Sequence, residues 1–255
     1  MSALRSSISA TDRSDPIHAR GPVSKRGIDL ICCLLALPFL ALVALVVTIF
    51  LNCVAPGPVL FRQERVGCLG RRFWLYKFRT MYVGADTNGH QKHCTELIRT
   101  NAPMVKLDAS RDSRLFPGSW LLRASGLDEL PQLINVLRGD MSIVGPRPCL
   151  VYEYENYAPW QRQRCMALPG LTGLWQVSGK NRTTFEEMVR LDIHYGRTKS
   201  GWLDTKIILR TIPVLLEQLA DAHRARRSPR GPRAVTRQAE NPLCTAGISG
   251  PISRS

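Results

Sequence analysis

A long apolar segment near the start of the chain restricts its fold more than any other feature. Residues 28–54 read IDLICCLLALPFLALVALVVTIFLNCV, and no charged residue occurs between Leu30 and Leu51. About 20 apolar residues are enough for a helix to cross the hydrocarbon core of a bilayer. The segment is also longer than the apolar core of a signal peptide. We therefore expect it to lie in a membrane.

The proline and the flanking charges of this segment leave two membrane geometries open. Pro38 lies in its interior, where a proline removes a backbone hydrogen bond and kinks a helix. A single span usually has its basic residues mainly on the cytoplasmic side, yet both flanks of this segment are basic. The residues concerned are Lys25, Arg26, Arg62, Arg65, Arg71 and Arg72. A span and a re-entrant helix-break-helix both remain open, and in either case the rest of the chain is predicted to be cytoplasmic.

The remaining pattern predicts an α+β fold that is mostly helical. Residues 59–66 and 73–81 are rich in aromatic and branched side chains and indicate two strands joined by a GCLG hairpin. Helices are expected near 91–99, from Asp128 as N-cap to Leu137, and from Thr183 or Thr184 onward. Further helical stretches are expected on either side of Pro159 and over 202–219, and the second, headed by Trp202, suits a membrane interface as well as a core.

These elements divide the chain into four parts. We predict a disordered leader at 1–24, a membrane helix at 25–57, a small cytosolic domain with short strands and interfacial amphipathic helices at 58–220, and a basic disordered tail at 221–255. The tail holds seven of the arginines, and the whole chain has a formal net charge of +15. Such an excess favours a polyanionic partner, which could be nucleic acid, anionic lipid or a phosphorylated substrate. The eight cysteines include no C-x-x-C pair and are read as reduced cytosolic thiols.

Two adjacent acids, Asp128 and Glu129, stand out in this basic chain. Taken alone they could simply favour the positive end of a helix macrodipole. The basic residues nearby in the sequence point to chemistry instead, because arginine forks match phosphate oxygens. These basic residues are Lys77, Arg79, Arg123 and Arg147. A carboxylate directed at a bound phosphate suits nucleophilic attack on phosphorus or the binding of Mg²⁺.

At this point the sequence resembles a known family. Its motifs KRGIDL, GPVLFRQERVG, YKFRTM, LDELPQLINVLRGDMSIVGPRP and PGLTGLWQVSGKN are similar to those of the bacterial sugar transferases, the monotopic polyprenyl-phosphate phosphoglycosyl transferases. The resemblance covers about residues 24–218 and is nearest to the short members that act in exopolysaccharide production, including galactose-phosphate transferases. It implies that the apolar segment is re-entrant and that the protein lies on the cytoplasmic face of a bacterial inner membrane.

The resemblance also implies a reaction and its residues. A UDP-sugar, expected to carry galactose or glucose, donates its sugar-1-phosphate to undecaprenyl phosphate. Asp128 is then the nucleophile that forms a phosphosugar-aspartyl intermediate and is also a Mg²⁺ ligand, and Glu129 is a general base or a helper in Mg²⁺ binding. Lys77, Arg79, Arg123 and Arg147 are the expected phosphate-binding residues. Inner-membrane lipid is expected as a partner, nucleic acid is not, and a homo-oligomer is left open.

Two rival functions follow from the same residues. A membrane-anchored, non-enzymatic binder of nucleic acid or anionic lipid would use the charge of +15 and the arginine-rich tail, but it would have no use for Asp128 and Glu129. A degenerate family member that serves as an assembly scaffold would share the fold and lack turnover. Loss of UMP release on changing Asp128 would exclude both.

Overall fold

The computed structural model describes residues 23–85, 88–102, 114–179 and 183–227, and within them the fold is α+β and mostly helical, as predicted. The α-helices are α1 (Val23–Val54), α2 (Asn88–Thr100), α3 (Ser119–Ser125), α4 (Leu133–Arg138), α5 (Val151–Glu155), α6 (Leu174–Val177), α7 (Phe185–Thr198) and α8 (Gly201–Arg227). The strands are β1 (Leu60–Val66), β2 (Arg72–Phe78), β3 (Ser142–Val144), β4 (Cys149–Leu150) and β5 (Gly170–Thr172). Short 3-10 helices occupy Cys68–Gly70, Leu127–Gln132 and Gln161–Met166.

The apolar segment forms α1, whose helical assignment continues through Pro38. Over Lys25–Val54 this helix is long and apolar enough to cross a membrane, judged by length and composition. One face packs on the rest of the domain, with Cys33, Val47 and Leu51 fully or almost fully buried. The opposite face is apolar and exposed along the whole helix. It carries Ile31, Leu35, Phe39, Leu42, Val46 and Ile49, each more than half exposed.

The first turns of α1 are fixed to the domain by charged residues. Lys25 is buried and its ammonium donates to Asp204 Oδ2 at 2.6 Å and to the Val144 carbonyl oxygen at 3.0 Å. The buried Asp29 accepts a bond from the Ile143 amide at 2.9 Å, and the two guanidinium Nη atoms of Arg26 donate to the last carbonyls of α4. The charges of the KRGID motif are therefore bonded to β3, α4 and α8.

The predicted hairpin is confirmed. Strands β1 and β2 pair antiparallel, with Leu60 opposite Phe78, and β4 adds to the other edge of β1 to give the order β2-β1-β4. The helix expected near 91–99 is α2, and the two stretches around Pro159 are α5 and the 3-10 helix Gln161–Met166. Thr184 caps α7 through a capping box with Glu187, as one of the two predicted alternatives required.

Two boundaries differ from those expected. Asp128 is not an N-cap, because the 3-10 helix already begins at Leu127 after Gly126 in the left-handed region. Gly126 therefore occupies the position before the helix, in a left-handed conformation that glycine adopts without steric cost. The last helix ends at Arg227, eight residues past the end predicted for it at residue 219. The predicted leader up to residue 22 and the tail from 228 lie outside the described residues.

A short parallel ladder joins the GPRP and LPGLTG motifs. Strand β3 pairs with β5, and the ladder is extended by the Gly145 amide to the Thr172 carbonyl and by the Gly170 amide to the Pro146 carbonyl, both at 2.9 Å. A Cβ at Gly145 would overlap the Leu168 carbonyl oxygen and lie 2.9 Å from the Gly170 amide nitrogen. Glycine is needed there so that two backbones can approach each other closely.

The close approach predicts that Gly145→Ala lowers the free energy of unfolding by about 3 kcal/mol or more, because the methyl group meets backbone that cannot swing away. The control is Gly27→Ala, since Gly27 lies in α1 with no heavy atom within 4 Å of the new Cβ. That variant is expected to be unchanged or stabilised by about 0.5–1 kcal/mol. Urea titration of the detergent-purified proteins measures both, and equal midpoints for the two variants would contradict the expectation.

Candidate active site

The acid pair lies on the 3-10 helix Leu127–Gln132, which rests on the apolar helix α1. Leu127 and Leu130 pack into the cluster that contains Val47 and Leu51 of α1. The following helix α4 buries Leu133 and Val136 against Cys33, nearer the start of α1. Asp128 itself is 9% exposed. Contacts on both sides of the pair therefore place Asp128 and Glu129 next to the segment expected to meet the membrane.

Strand β2 brings Lys77 to the acid pair. The Lys77 ammonium lies 2.7 Å from Glu129 Oε1, and both side chains are only partly exposed. Asn135 of α4 is fully buried, and its side chain holds α4 to strand β2. Its side-chain oxygen accepts from the Tyr76 amide at 3.2 Å, and its side-chain nitrogen donates to the Trp74 carbonyl at 2.6 Å. The helix that follows the acids is thereby bonded to the strand that carries Lys77.

Arg79 and Arg123 have different surroundings. Arg79 is buried, donates from Nε to the Pro58 carbonyl at 2.7 Å and from Nη2 to the Ala55 carbonyl, and stacks over Phe116. These bonds hold the chain where it leaves α1, so phosphate binding by Arg79 stays a prediction. Arg123 is half-buried in the last turn of α3, a helix that packs against the 3-10 helix of the acid pair.

Arg147 follows the β3–β5 ladder, and buried side chains fix its backbone. Arg164 donates from Nη2 to the Arg147 carbonyl at 3.2 Å. The Arg164 guanidinium is itself held by Asp192, at 2.5 Å from Nη2, and by the Tyr157 hydroxyl at 2.7 Å. The Arg147 side chain is half-buried. The turn thus presents one guanidinium on a rigid backbone, which suits phosphate recognition.

Three residues that shape this site were not among the predicted site residues. Asn135 and Arg164 are buried and bonded, and Arg65, in β1, is buried beside the GPRP turn. Strand alternation offered the only signal for Arg65, since Arg65 and Gln63 point to the same side of β1. Asn135 bonds to Tyr76 and Trp74, 59 and 61 residues earlier, and Arg164 pairs with Asp192, 28 residues later, so no local pattern identifies these partners.

The donor set at the acid pair fits one mode of magnesium binding. Among the described residues no group of three or more His, Cys, Asp or Glu side chains could hold a metal by itself. Mg²⁺, however, is usually held by one or two carboxylates together with substrate phosphates and water. Two neighbouring carboxylates, one of them already beside Lys77, meet that requirement only in the presence of a phosphorylated substrate.

Comparison with known proteins identifies relatives over most of the chain. A family model described as bacterial sugar transferase matches residues 20–218. A galactosyl transferase CpsE of Streptococcus agalactiae is 45% identical over 161 residues, which are 63% of this chain and 35% of that protein. A UDP-glucose:undecaprenyl-phosphate glucose-1-phosphate transferase of Caulobacter vibrioides is 40% identical over 200 residues, covering 75% of this chain and 69% of the relative.

A shorter relative is matched over almost its whole length. The exopolysaccharide production protein ExoY of Sinorhizobium fredii is 35% identical over 222 residues, which are 84% of this chain and 96% of that protein. By contrast, the chain spans only about a third of the length of the streptococcal relative. The similarity therefore includes all of the motifs that build the acid pair and its basic surroundings.

Proposed function

The chain belongs to the bacterial sugar transferase family, and on that premise we propose that it transfers a hexose-1-phosphate from a UDP-sugar to undecaprenyl phosphate. The sugar is galactose or glucose, the sugars named for several relatives. The observation that carries the proposal is the placement of Asp128 and Glu129: their 3-10 helix packs against the apolar helix α1, and Lys77 lies beside Glu129. A lipid phosphate cannot leave the headgroup layer, so the nucleophile must be close to the membrane.

The proposed reaction has two displacements at the same phosphorus. A carboxylate oxygen of Asp128 attacks the β-phosphorus of the UDP-sugar, and the bond to UMP breaks as UMP takes the electron pair. A phosphate oxygen of undecaprenyl phosphate then attacks the phosphosugar-aspartyl group, and Asp128 leaves as a carboxylate. Splitting the transfer in this way is the usual advantage of covalent catalysis.

The basic residues oppose the repulsion between a carboxylate and a diphosphate. Lys77 is already at the acid pair, and the fixed turn at Arg147 offers a guanidinium that can fork to phosphate oxygens. Arg79 and Arg123 are proposed to add positive charge at longer range. Asp128, helped by Glu129, would hold a Mg²⁺ ion together with the substrate phosphates, and that ion would supply neutralisation of charge on the leaving UMP.

We further propose that α1 is re-entrant and that the protein lies on the cytoplasmic face of the inner membrane. Both ends of α1 contact the same domain: Lys25 and Asp29 at its start, and Ala55, just past its end, through Arg79. A straight helix of 32 residues would be about 48 Å long, so a span would carry one end away from the domain. A re-entrant path bent at Pro38 keeps both ends on one side.

The last helix is proposed to lie in the membrane interface beside α1. Trp202, Leu209, Ile212 and Leu216 of α8 are exposed, and Lys206 lies over the Trp202 ring. The two apolar surfaces adjoin at their N-terminal ends, where a Cβ at Gly201 would be 3.8 Å from Ile28. Apolar groups with flanking cations are typical of helices that bind an anionic headgroup layer.

Release of UMP tests the proposed activity. Membranes containing the protein are incubated with undecaprenyl phosphate, Mg²⁺ and either UDP-galactose or UDP-glucose, and UMP is measured. We expect UMP with at least one of the donors. Removal of Mg²⁺ with EDTA should reduce the rate by at least about 10²-fold, because charge neutralisation at the transferring phosphoryl group contributes several kcal/mol. Restoration by added Mg²⁺ is the control.

Absence of UMP with both donors, from a protein that is folded in the membrane, would favour the scaffold alternative. UMP release that continues at the full rate in EDTA would support the transferase activity and exclude the proposed role of Mg²⁺.

A further inference from the structure

Arg65, in β1, is a buried cation at the GPRP turn. The residue is 6% exposed. Its Nη1 donates to the Pro148 carbonyl at 3.1 Å, and its Nη2 donates to Gln63 Oε1 at 2.7 Å. Its Nε is buried and has no hydrogen-bond partner in the part of the chain that the structure describes. Arg65 therefore holds the backbone one residue past Arg147 while its own hydrogen-bonding capacity is incompletely used.

The charge of Arg65 is also unbalanced. Within the described ranges, neither Arg65 nor Arg147 has a carboxylate within the 4.0 Å of an ion pair, whereas the other buried guanidinium of this turn, Arg164, is paired with Asp192. Burial lowers the pKa of Arg65 and the nearby charge of Arg147 lowers it further, while Glu153 and Glu129 act in the opposite direction. Two like charges at one turn, one of them buried, are costly unless an anion joins them.

We propose that Arg65 is a positioning residue of a phosphate-binding site formed at Arg147, in which Arg147 contacts the phosphate and Arg65 acts through the Pro148 carbonyl and through its charge. The ligand class is a phosphate oxyanion. It comes from the diphosphate of the nucleotide sugar or from the lipid phosphate of the acceptor, and in this respect the proposal rests on the proposed function. Arg65 itself is too deeply buried to touch either substrate.

Arg65 has two proposed roles, a hydrogen bond to the Pro148 carbonyl and a positive charge, and the second role requires an arginine or lysine. A neutral side chain could donate one hydrogen bond to the Pro148 carbonyl without the desolvation cost of a charge. Glu129, which acts electrostatically on Arg65, is paired with Lys77 at the acid pair. The positive charge of Arg65 thus interacts electrostatically with the predicted phosphate-binding Arg147 and with Glu129 of the acid pair.

The test compares Arg65→Gln and Arg65→Lys with Arg62→Gln. Arg62 is on the same strand, but its guanidinium stacks over the exposed Trp74 ring. The KM values for UDP-sugar and for undecaprenyl phosphate are measured separately. We expect Arg65→Gln to raise one of the two by about tenfold or more, the loss that follows from removing a charged contribution to phosphate binding. Its kcat should change by less than the KM does, and Arg65→Lys should lie in between.

A rise confined to the donor KM assigns the site to the diphosphate, and a rise confined to the acceptor KM assigns it to the lipid phosphate. KM values within twofold of wild type for both substrates, in a folded Arg65→Gln protein, would overturn the proposal. If Arg65→Gln does not fold, Arg65→Lys decides by the same twofold criterion. Arg62→Gln should match wild type in every measurement.

Stabilisation by UDP provides a readout that does not need turnover. A ligand that binds only the folded state raises the midpoint of thermal unfolding, and at a fixed concentration a tighter ligand raises it more. UDP is expected to raise the midpoint of wild type and Arg62→Gln, and to raise that of Arg65→Lys less. A wild-type protein that binds UDP but releases no UMP from UDP-sugars would contradict the proposed function alone. Equal UDP-induced shifts in wild type and the Arg65 variants, together with unchanged KM for the acceptor, would contradict the role of Arg65 alone.

Discussion

Replacing Asp128 with asparagine is expected to reduce UMP release by about 10³-fold or more, the scale of loss seen when a nucleophile is removed from an enzyme that works by covalent catalysis. Asparagine has nearly the same shape, so the contacts of this 9% exposed residue are largely kept. It lacks the negative charge that makes a carboxylate oxygen of Asp128 nucleophilic. The initial rate of UMP release from UDP-sugar is the measurement.

Two further variants show whether the loss is specific to Asp128. Asp221→Asn changes an acid whose side chain is 75% exposed, in a surface pair with Arg224, and should leave the rate unchanged. Glu129→Gln should reduce the rate by about 10²–10³-fold, because a helper group contributes less than the nucleophile. If Asp128→Asn retained a rate within tenfold of wild type, Asp128 would not be the nucleophile.

Asp204→Asn is expected to lower the free energy of unfolding by about 3–5 kcal/mol, since breaking a buried ion pair leaves the other charge uncompensated. The Asp204 carboxylate binds the Lys25 ammonium at 2.6 Å and lies 2.7 Å from the Tyr195 hydroxyl, and all three side chains are buried. This cluster joins the start of α1 to α7 and α8. Thermal or urea unfolding in detergent measures the loss.

A double replacement separates the cost of an unpaired charge from that of the lost contact. Lys25→Met combined with Asp204→Leu removes both charges, and we expect it to be more stable than Asp204→Asn alone. Asp221→Asn again serves as the exposed control. An unfolding midpoint for Asp204→Asn equal to that of Asp221→Asn would show that the cluster does not hold α1 to the domain.

Much of the local structure followed from the sequence because its signals are local. The aromatic and branched residues of 59–66 and 73–81, joined by GCLG, predicted the hairpin, and an apolar helical period after Thr183 or Thr184 predicted the capped start of α7. The acid pair and Lys77 were identified from residue type and motif, and the structure brings Glu129 and Lys77 to 2.7 Å. The roles of all six predicted site residues stay predictions: Asp128, Glu129, Lys77, Arg79, Arg123 and Arg147.

What the sequence could not give depends on contacts between distant parts of the chain. Arg65 was read only as one basic residue in the flank of the apolar segment, yet strand β4 and the GPRP turn bury it. Asp29 lies at the start of the apolar segment, yet it accepts hydrogen bonds from β3, more than 110 residues later. The start of the helix that carries Asp128 was misplaced because Gly126, in the left-handed region, ends α3 and leads directly into the 3-10 helix at Leu127.

Trapping the enzyme during turnover tests most directly whether Asp128 forms a covalent intermediate. The protein is incubated with UDP-sugar labelled in the β-phosphate, without undecaprenyl phosphate, then quenched in acid, digested and analysed by mass spectrometry. We expect a labelled sugar phosphate on the peptide that contains Asp128, and we expect this label to disappear when undecaprenyl phosphate is added before the quench. Active enzyme that releases UMP but carries the label on another residue, or on none, would contradict this expectation.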